Sequence, residues 1–252
     1  MTMNNAQLQL EHLWDDKVAL DMTEPEKLLY RSNLLGSDKR ITNYGGGNTS
    51  AKVLEHDPLT HDAIEVLWVK GSGGDVGSIK MDGFAALYMD KLRALKALYR
   101  GVEFEDEMVA FLPHCTFNLN ARAASIDTPL HAYVPKKHVD HMHPDAIIAI
   151  AASKNSKALT AEIFGDDIGW LPWKRPGYEL GLWLENFCLH GGHSHETLWP
   201  VISFGQTSRR VGMGEAIWKH VQRVEMAELG AIRLTMASSA RSGYASLNPL
   251  VL

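Results

Sequence analysis

The densest chemistry in the chain lies in His138-Val139-Asp140-His141-Met142-His143-Pro144-Asp145. In an extended strand, residues i and i+2 point to one face, so His141 and His143 would present two imidazoles side by side. Two imidazole nitrogens at about 2.0–2.1 Å fill two positions of a tetrahedral zinc site. A pair of strand histidines facing solvent is the plainer reading, and the surrounding residues must decide between the two. Asp140 and Asp145 can fix an imidazole tautomer from behind or stand as solvated loop charges; spacing leaves both open.

Upstream comes Ala124-Ser125-Ile126-Asp127-Thr128-Pro129-Leu130-His131. One turn or short helix can bring Asp127 beside the histidine pair, where a carboxylate can move a proton. The same residue could equally cap a helix whose first turn is Thr128-Pro129. Two glycine-rich turns complete the set, one around Gly45-Gly46-Gly47-Asn48-Thr49-Ser50 and one at Gly71-Ser72-Gly73-Gly74. Uncrowded backbone amides beside Asn and Ser make a nest for a phosphate or carboxylate. Neither turn matches a nucleotide fingerprint. Lys70 either helps hold an anion there or is solvated. Tyr44, Tyr133 and Trp173 either line a site or pack. No nucleophile elbow is present.

These residues need elements to hold them. Residues 24–36 read as an amphipathic helix on Leu28, Leu29, Leu34 and Leu35, with Gly36 near its end. Residues 43–50 read as a turn, 63–69 as a short strand, and 84–99 as a helix on Leu87, Leu92, Leu95 and Leu98. Residues 138–150 read as a strand running from the histidines into Ala146-Ile147-Ile148-Ala149-Ile150. A Pro/Trp loop follows at 171–176, then helices at 177–188 and 215–236. Alternating strands and helices favour a layered α/β fold.

The whole chain sets bounds. Its 252 residues suit one large domain, and 45% apolar with 22% charged residues is ordinary globular composition. A net charge of −5 gives no reason to expect nucleic acid as a partner. Two cysteines make no disulfide scaffold and fit a reducing compartment. No apolar stretch is long enough to span a bilayer, and residues 1–9 lack signal-peptide character, so the cytoplasm is expected. Twelve histidines are unevenly placed, with a second group at His190, His193 and His195. No aspartate follows Asp167, and residues 190–252 carry six Lys/Arg against four Asp/Glu. A second subdomain, chance or a shifted reading frame would each account for that change.

Taken in order, these pieces resemble the class II aldolase/adducin family. Gly46-Gly47-Asn48-Thr49-Ser50 is similar to its Gly-Asn-x-Ser phosphate loop, and Lys70-Gly71-Ser72-Gly73 stands where it has a second one. Ser125-x-Asp127 stands where the family has Ser-x-Glu, and His141-x-His143 matches its first two zinc ligands. A closer likeness is to the aldolase half of bifunctional rhamnulose-1-phosphate aldolase/short-chain dehydrogenases. It is carried by residues 125–131, 138–145 and Trp170-Leu171-Pro172-Trp173-Lys174-Arg175-Pro176-Gly177, and the combined likeness covers about residues 20–188.

The resemblance implies one class II aldolase-like domain over 1–252, a three-layer α/β/α fold with a central, mainly antiparallel sheet. Residues 189–252 are then a divergent or disrupted C-terminal part. It implies Zn2+ or another divalent metal on His141, His143 and a third histidine. The family's His-Gly-Leu is missing, and His193 fits best by position. Gly47, Asn48, Ser72, Gly73 and Ser125 would hold a sugar phosphate, and Asp127 would move the proton, with one methylene less than the family's glutamate. The implied reaction is cleavage of rhamnulose 1-phosphate to dihydroxyacetone phosphate and lactaldehyde, as in rhamnose catabolism. A sugar-phosphate 4-epimerase, or a non-catalytic interaction module, is the alternative. Self-association is expected, cyclic tetramers being the family's pattern.

Overall fold

A computed structural model describes residues 13–43, 45–119, 122–165, 169–190, 196–198 and 201–205. Its strands are β1 (Asn48–His56), β2 (Ala63–Lys70), β3 (Phe84–Tyr88), β4 (His138–Met142), β5 (Glu196–Leu198) and β6 (Val201–Gly205). Its α-helices are α1 (Asp16–Ala19), α2 (Glu24–Ser37), α3 (Met89–Ala94), α4 (Glu105–Phe111), α5 (Thr128–Tyr133), α6 (Asp145–Ala151), α7 (Ser156–Phe164) and α8 (Tyr178–His190). The strands form one sheet in the order β3-β2-β1-β4-β6-β5, every described pairing antiparallel. This is the expected α/β aldolase-type fold. The sheet runs on into β5 and β6, and His138 pairs with Gly205 at its far end.

Helix α2 starts where its sequence says it should. Thr23 and Glu26 form a reciprocal capping box, with a proline in the first turn. Gly36 does more than end the helix, since a Cβ there would lie 2.0 Å from the Gly77 nitrogen. It lets α2 press against the 76–78 turn.

Strand alternation sorts β1 into two faces. Thr49, Ala51 and Val53 face α2: Ser32 and Thr49 hydroxyls meet at 2.6 Å, and Leu28 packs with Ala51, Val53 and Phe84. Ser50 and Lys52 face α5. Lys52 Nζ donates to the carbonyls of His131, Val134 and Lys136 at 2.9, 2.8 and 2.6 Å. It thereby anchors the C-terminal end of α5, where carbonyls lack helical partners. On that face Leu67, Val69, Ala85 and Leu87 pack against Met89, Leu92 and Tyr133, while Val139 packs with Leu130, Leu180 and Leu184. On the α2 side, Met142 joins Leu35, Ile147, Ile150 and Phe164. Helices therefore cover both faces of the sheet.

Three sequence readings are corrected. The stretch read as a turn over 43–50 already enters strand at Asn48; β1 gave little signal because its buried Lys52 breaks the apolar pattern. Residues 84–99 are not one helix, because Phe84–Tyr88 pairs with β2, Leu87 opposite Leu67. Residues 138–150 are not one strand. Pro144 ends the extended run and α6 follows, with Ile147 and Ile150 buried at helical spacing. The helix expected at 215–236 lies outside the described residues.

Candidate metal centre and phosphate cradle

His141 is the fourth residue of β4 and sits opposite Asn48. His143 follows just past the strand end, and the extended backbone still turns it to the same side. Their Nε2 atoms face each other at 2.8 Å, with ring centres 4.7 Å apart. Burial is the leading cause that pushes both imidazoles down to about 3. They therefore stay neutral, the form that ligates metal.

Asp127 arrives from the N-terminus of α5. It holds the capping position, but its side chain makes no cap. Its Oδ2 accepts from Ser125 Oγ at 3.3 Å and lies 4.0 Å from His141 Nδ1. Its Oδ1 is buried and, among the described residues, unpartnered. Burial raises its affinity for a proton, while His143, the Ser125 hydrogen bond and Lys70 work the other way. The Asp127 side chain therefore does not cap α5 and lies instead beside His141.

The two aspartates beside the histidines point elsewhere. Asp140 alternates to the opposite face and meets Arg31 of α2. Asp145 is exposed and accepts from Asn43 Nδ2 at 3.2 Å. His138 also faces α2, with Nδ1 3.2 Å from Arg31 Nη1.

The glycine turns close around the pair. Gly47 has φ of 80°, and a Cβ on it would stand 2.6 Å from the His141 carbonyl oxygen. Gly46 backs directly onto the His143 side chain. Asn48 Nδ2 donates to the Lys70 carbonyl at 3.1 Å, tying the first turn to the second. Ser72 N donates to Ala123 O at 2.9 Å, tying the second to the Ser125–Asp127 segment. One N–H of the Asn48 side-chain amide and the Ser72 backbone N–H are thus engaged in building the cradle. Ser72 and Gly73 lie exposed at its rim, and Ser125 is buried behind them.

Two cations join them. Lys70 is buried, and burial lowers its proton affinity against the pull of Asp127 and Asp75. Arg122 crosses the second turn, its Nη1 3.9 Å from where a Cβ on Gly73 would be. The sequence reading missed Arg122, and no motif marks it. Tyr133 packs in the core, its hydroxyl 2.8 Å from Leu92 O and 2.7 Å from the Tyr178 hydroxyl. Trp173 is exposed. Tyr44 and His193 lie outside the described residues.

A divalent metal fits what is present. Two neutral nitrogens converge, and a carboxylate oxygen beside them is buried without a partner. A tetrahedral ion with bonds of about 2.0–2.1 Å holds its ligand nitrogens about 3.3 Å apart, so the rings need to part only slightly. No cluster of three or more His, Cys, Asp or Glu with ligand geometry occurs among the described residues. Among the described residues the pair would therefore offer a metal two nitrogens.

Comparison with known proteins adds three findings. The profile of the family described as "Class II Aldolase and Adducin N-terminal domain" matches residues 26–194. A Bacillus subtilis (strain 168) protein named "Uncharacterized oxidoreductase YuxG" is 40% identical over 203 residues, covering 79% of this chain and 29% of that protein. The chain thus spans less than a third of that relative's length. Two solved structures share the fold. The N-terminal class II aldolase domain of a conserved Thermoplasma acidophilum protein has a TM-score of 0.73 at 29% identity, covering 86% of this chain and 98% of that one. A sugar-phosphate aldolase from Thermotoga maritima has a TM-score of 0.54 at 14% identity, covering 81% and 96%. Among the described residues no helix is long and apolar enough to cross a membrane.

Proposed function

The chain belongs to the class II aldolase and adducin family, and from that premise we propose a zinc-dependent aldolase cleaving a rhamnulose-type ketose 1-phosphate. The products are dihydroxyacetone phosphate and an aldehyde such as lactaldehyde. The observation that carries this reading is the 2.8 Å convergence of His141 and His143 beside the unpartnered Oδ1 of Asp127.

His141 and His143, with a further ligand such as His193, would hold the metal; when bound, it supplies Lewis-acid stabilisation of charge on the ketose oxygens. The rest falls to the chain. Cleavage of the C3–C4 bond needs the C4 hydroxyl to lose its proton as it becomes the aldehyde carbonyl. The electron pair of the broken bond is left on C3, delocalised toward the C2 carbonyl oxygen. Asp127 Oδ1 takes the proton and then returns it to C3, which completes dihydroxyacetone phosphate and resets the carboxylate. Burial suits Asp127 to this, because it makes the carboxylate more basic than one in water. Gly47, Ser72, Gly73 and Ser125 line the phosphate cradle that Asn48 braces. Lys70 and Arg122 supply the positive charge that draws a dianion in.

The rhamnulose preference rests on the 125–131, 138–145 and 170–177 stretches. A match to part of a longer protein named an oxidoreductase agrees with a bifunctional relative. Self-association and a cytoplasmic location belong to the same reading, and both cysteines are free thiols.

The test is zinc per subunit by elemental analysis, for the parent and a His141→Ala, His143→Ala double variant, followed by assay with rhamnulose 1-phosphate. Near-stoichiometric zinc lost in the variant, with release of dihydroxyacetone phosphate, is the expected result. A 4-epimerase would return an epimer without cleavage. A folded parent that takes up no zinc when it is supplied would refute the aldolase reading.

A further inference from the structure

His131 has no part in the reaction above, yet it lies fully buried on α5 near His141. Its Nδ1 is 2.7 Å from Ser50 Oγ. Ser50 donates its one hydroxyl proton to the Val139 carbonyl at 3.2 Å, so it offers the ring only lone pairs. With that direction His131 carries its proton on Nδ1, and Nε2 is left as an acceptor. Among the described residues that Nε2 is buried and unpartnered.

A matching shortage lies next to it. With His141 Nε2 aimed at a metal, its proton sits on Nδ1, and that nitrogen is also buried without a partner. The His131 and His141 ring centres are 6.3 Å apart, and Asp127 Oδ2 is 4.0 Å from His141 Nδ1. A separation of 4.0 Å is too long for a direct hydrogen bond but suits a bridge. The group holds one donor, His141 Nδ1–H, and two acceptors, His131 Nε2 and Asp127 Oδ2. A water molecule complements that set, accepting one bond and donating two.

We propose that His131 is a positioning residue of the metal centre: with Asp127 Oδ2 it holds one buried water that accepts the His141 Nδ1 proton. The water fixes His141 with its Nε2 toward the cation. Asp127 then has divided duties, Oδ2 orienting the ligand and Oδ1 left for the proton transfer proposed above. The inference rests on the metal reading above.

Two measurements on the full chain test it. The first is zinc affinity by chelator competition for the parent, His131→Phe and His131→Gln, with thermal unfolding of the metal-free proteins as the folding control. Phenylalanine should weaken zinc binding about 10- to 100-fold, and glutamine, which restores a polar partner, should recover part of that. The second needs no variant: long-range 1H–15N correlation of the native protein should show His131 protonated on Nδ1 only. It should also show His141 protonated on Nδ1 when zinc is bound. A folded His131→Phe that binds zinc within twofold of the parent overturns the proposal, as does a His131 proton on Nε2. If His131→Phe does not fold, the tautomer decides. A parent that binds no zinc ends the metal reading and this role with it; tight parental binding beside an unaffected variant removes only the role.

Discussion

Arg31 is where the fold and the site are most tightly joined, so replacing it with methionine is the most informative single change. Its side chain and that of Asp140 are both 0% exposed. Nε donates to Asp140 Oδ1 at 3.2 Å, while Oδ2 lies 3.1 Å away but out of line. Nη2 donates to the Ser50 carbonyl at 2.8 Å, and Nη1 meets His138 Nδ1 at 3.2 Å. One guanidinium thus clamps α2 to both β1 and β4, the strands that carry Asn48 and His141. Removing it leaves a buried carboxylate without its counter-charge, which costs about 3–5 kcal/mol. Burial already pushes Asp140 up to about 6 with Arg31 present, so the assay belongs at pH 8, where the pair is charged. With a urea slope of about 3 kcal/mol per molar, the upper end of the usual range and fitting for 252 residues, the midpoint should fall by roughly 1–2 M at fixed protein concentration. Asp140→Leu alone should be similarly damaging. The double variant should cost at least about 2 kcal/mol less than the sum, because neither charge is then stranded. It should not return fully to the parent, since the charge-assisted hydrogen bond from Arg31 to the Ser50 carbonyl stays lost, worth about 1.5–3 kcal/mol. A single-variant loss under about 1 kcal/mol, or strict additivity, would refute the clamp.

The remaining predictions concern the cradle and the thiols. Gly47→Ala and Gly45→Ala both place alanine at positive φ, costing roughly 1–2 kcal/mol each. Only Gly47→Ala also meets the His141 carbonyl, so zinc binding should weaken there and hold in Gly45→Ala; equal zinc affinity would contradict the packing. Arg122→Gln should raise KM for the phosphorylated substrate with a smaller change in kcat, and reduce inhibition by inorganic phosphate; an unchanged KM would remove Arg122 from the anion site. Burial is the main cause that pushes the Cys188 thiol up to about 11, and burial likewise raises Cys115. Thiolate supply at pH 8 is then about two orders of magnitude below that of an ordinary thiol. Alkylation of Cys188 should accelerate close to tenfold per pH unit between 8 and 10, and a fast rate at pH 8 would contradict its burial.

Sequence alone determined the parts whose signal is local. His141 and His143 come together because alternation along an extended backbone is a property of two neighbouring residues and needs no distant partner. The capping box, Thr23 with Glu26, marks the start of α2 within four residues, and the glycines mark turns because only they relax at positive φ. The order of motifs along the chain identified the family before any coordinate was known. The tertiary structure decided whatever depends on partners far away in the chain. Whether Ile147-Ile148-Ala149-Ile150 is helix or strand turned on the Leu35, Met142 and Phe164 surface it packs against. Whether Phe84–Tyr88 is strand turned on β2 lying beside it. Spacing left Asp140 open as support for the neighbouring histidine or as a solvated charge, but strand alternation sends it through the sheet to Arg31, 109 residues away in sequence. Asp127, from another element, is the carboxylate that lies 4.0 Å from His141 Nδ1. Burial and partnership are set by which surfaces meet, and a one-dimensional pattern records only what each residue could meet.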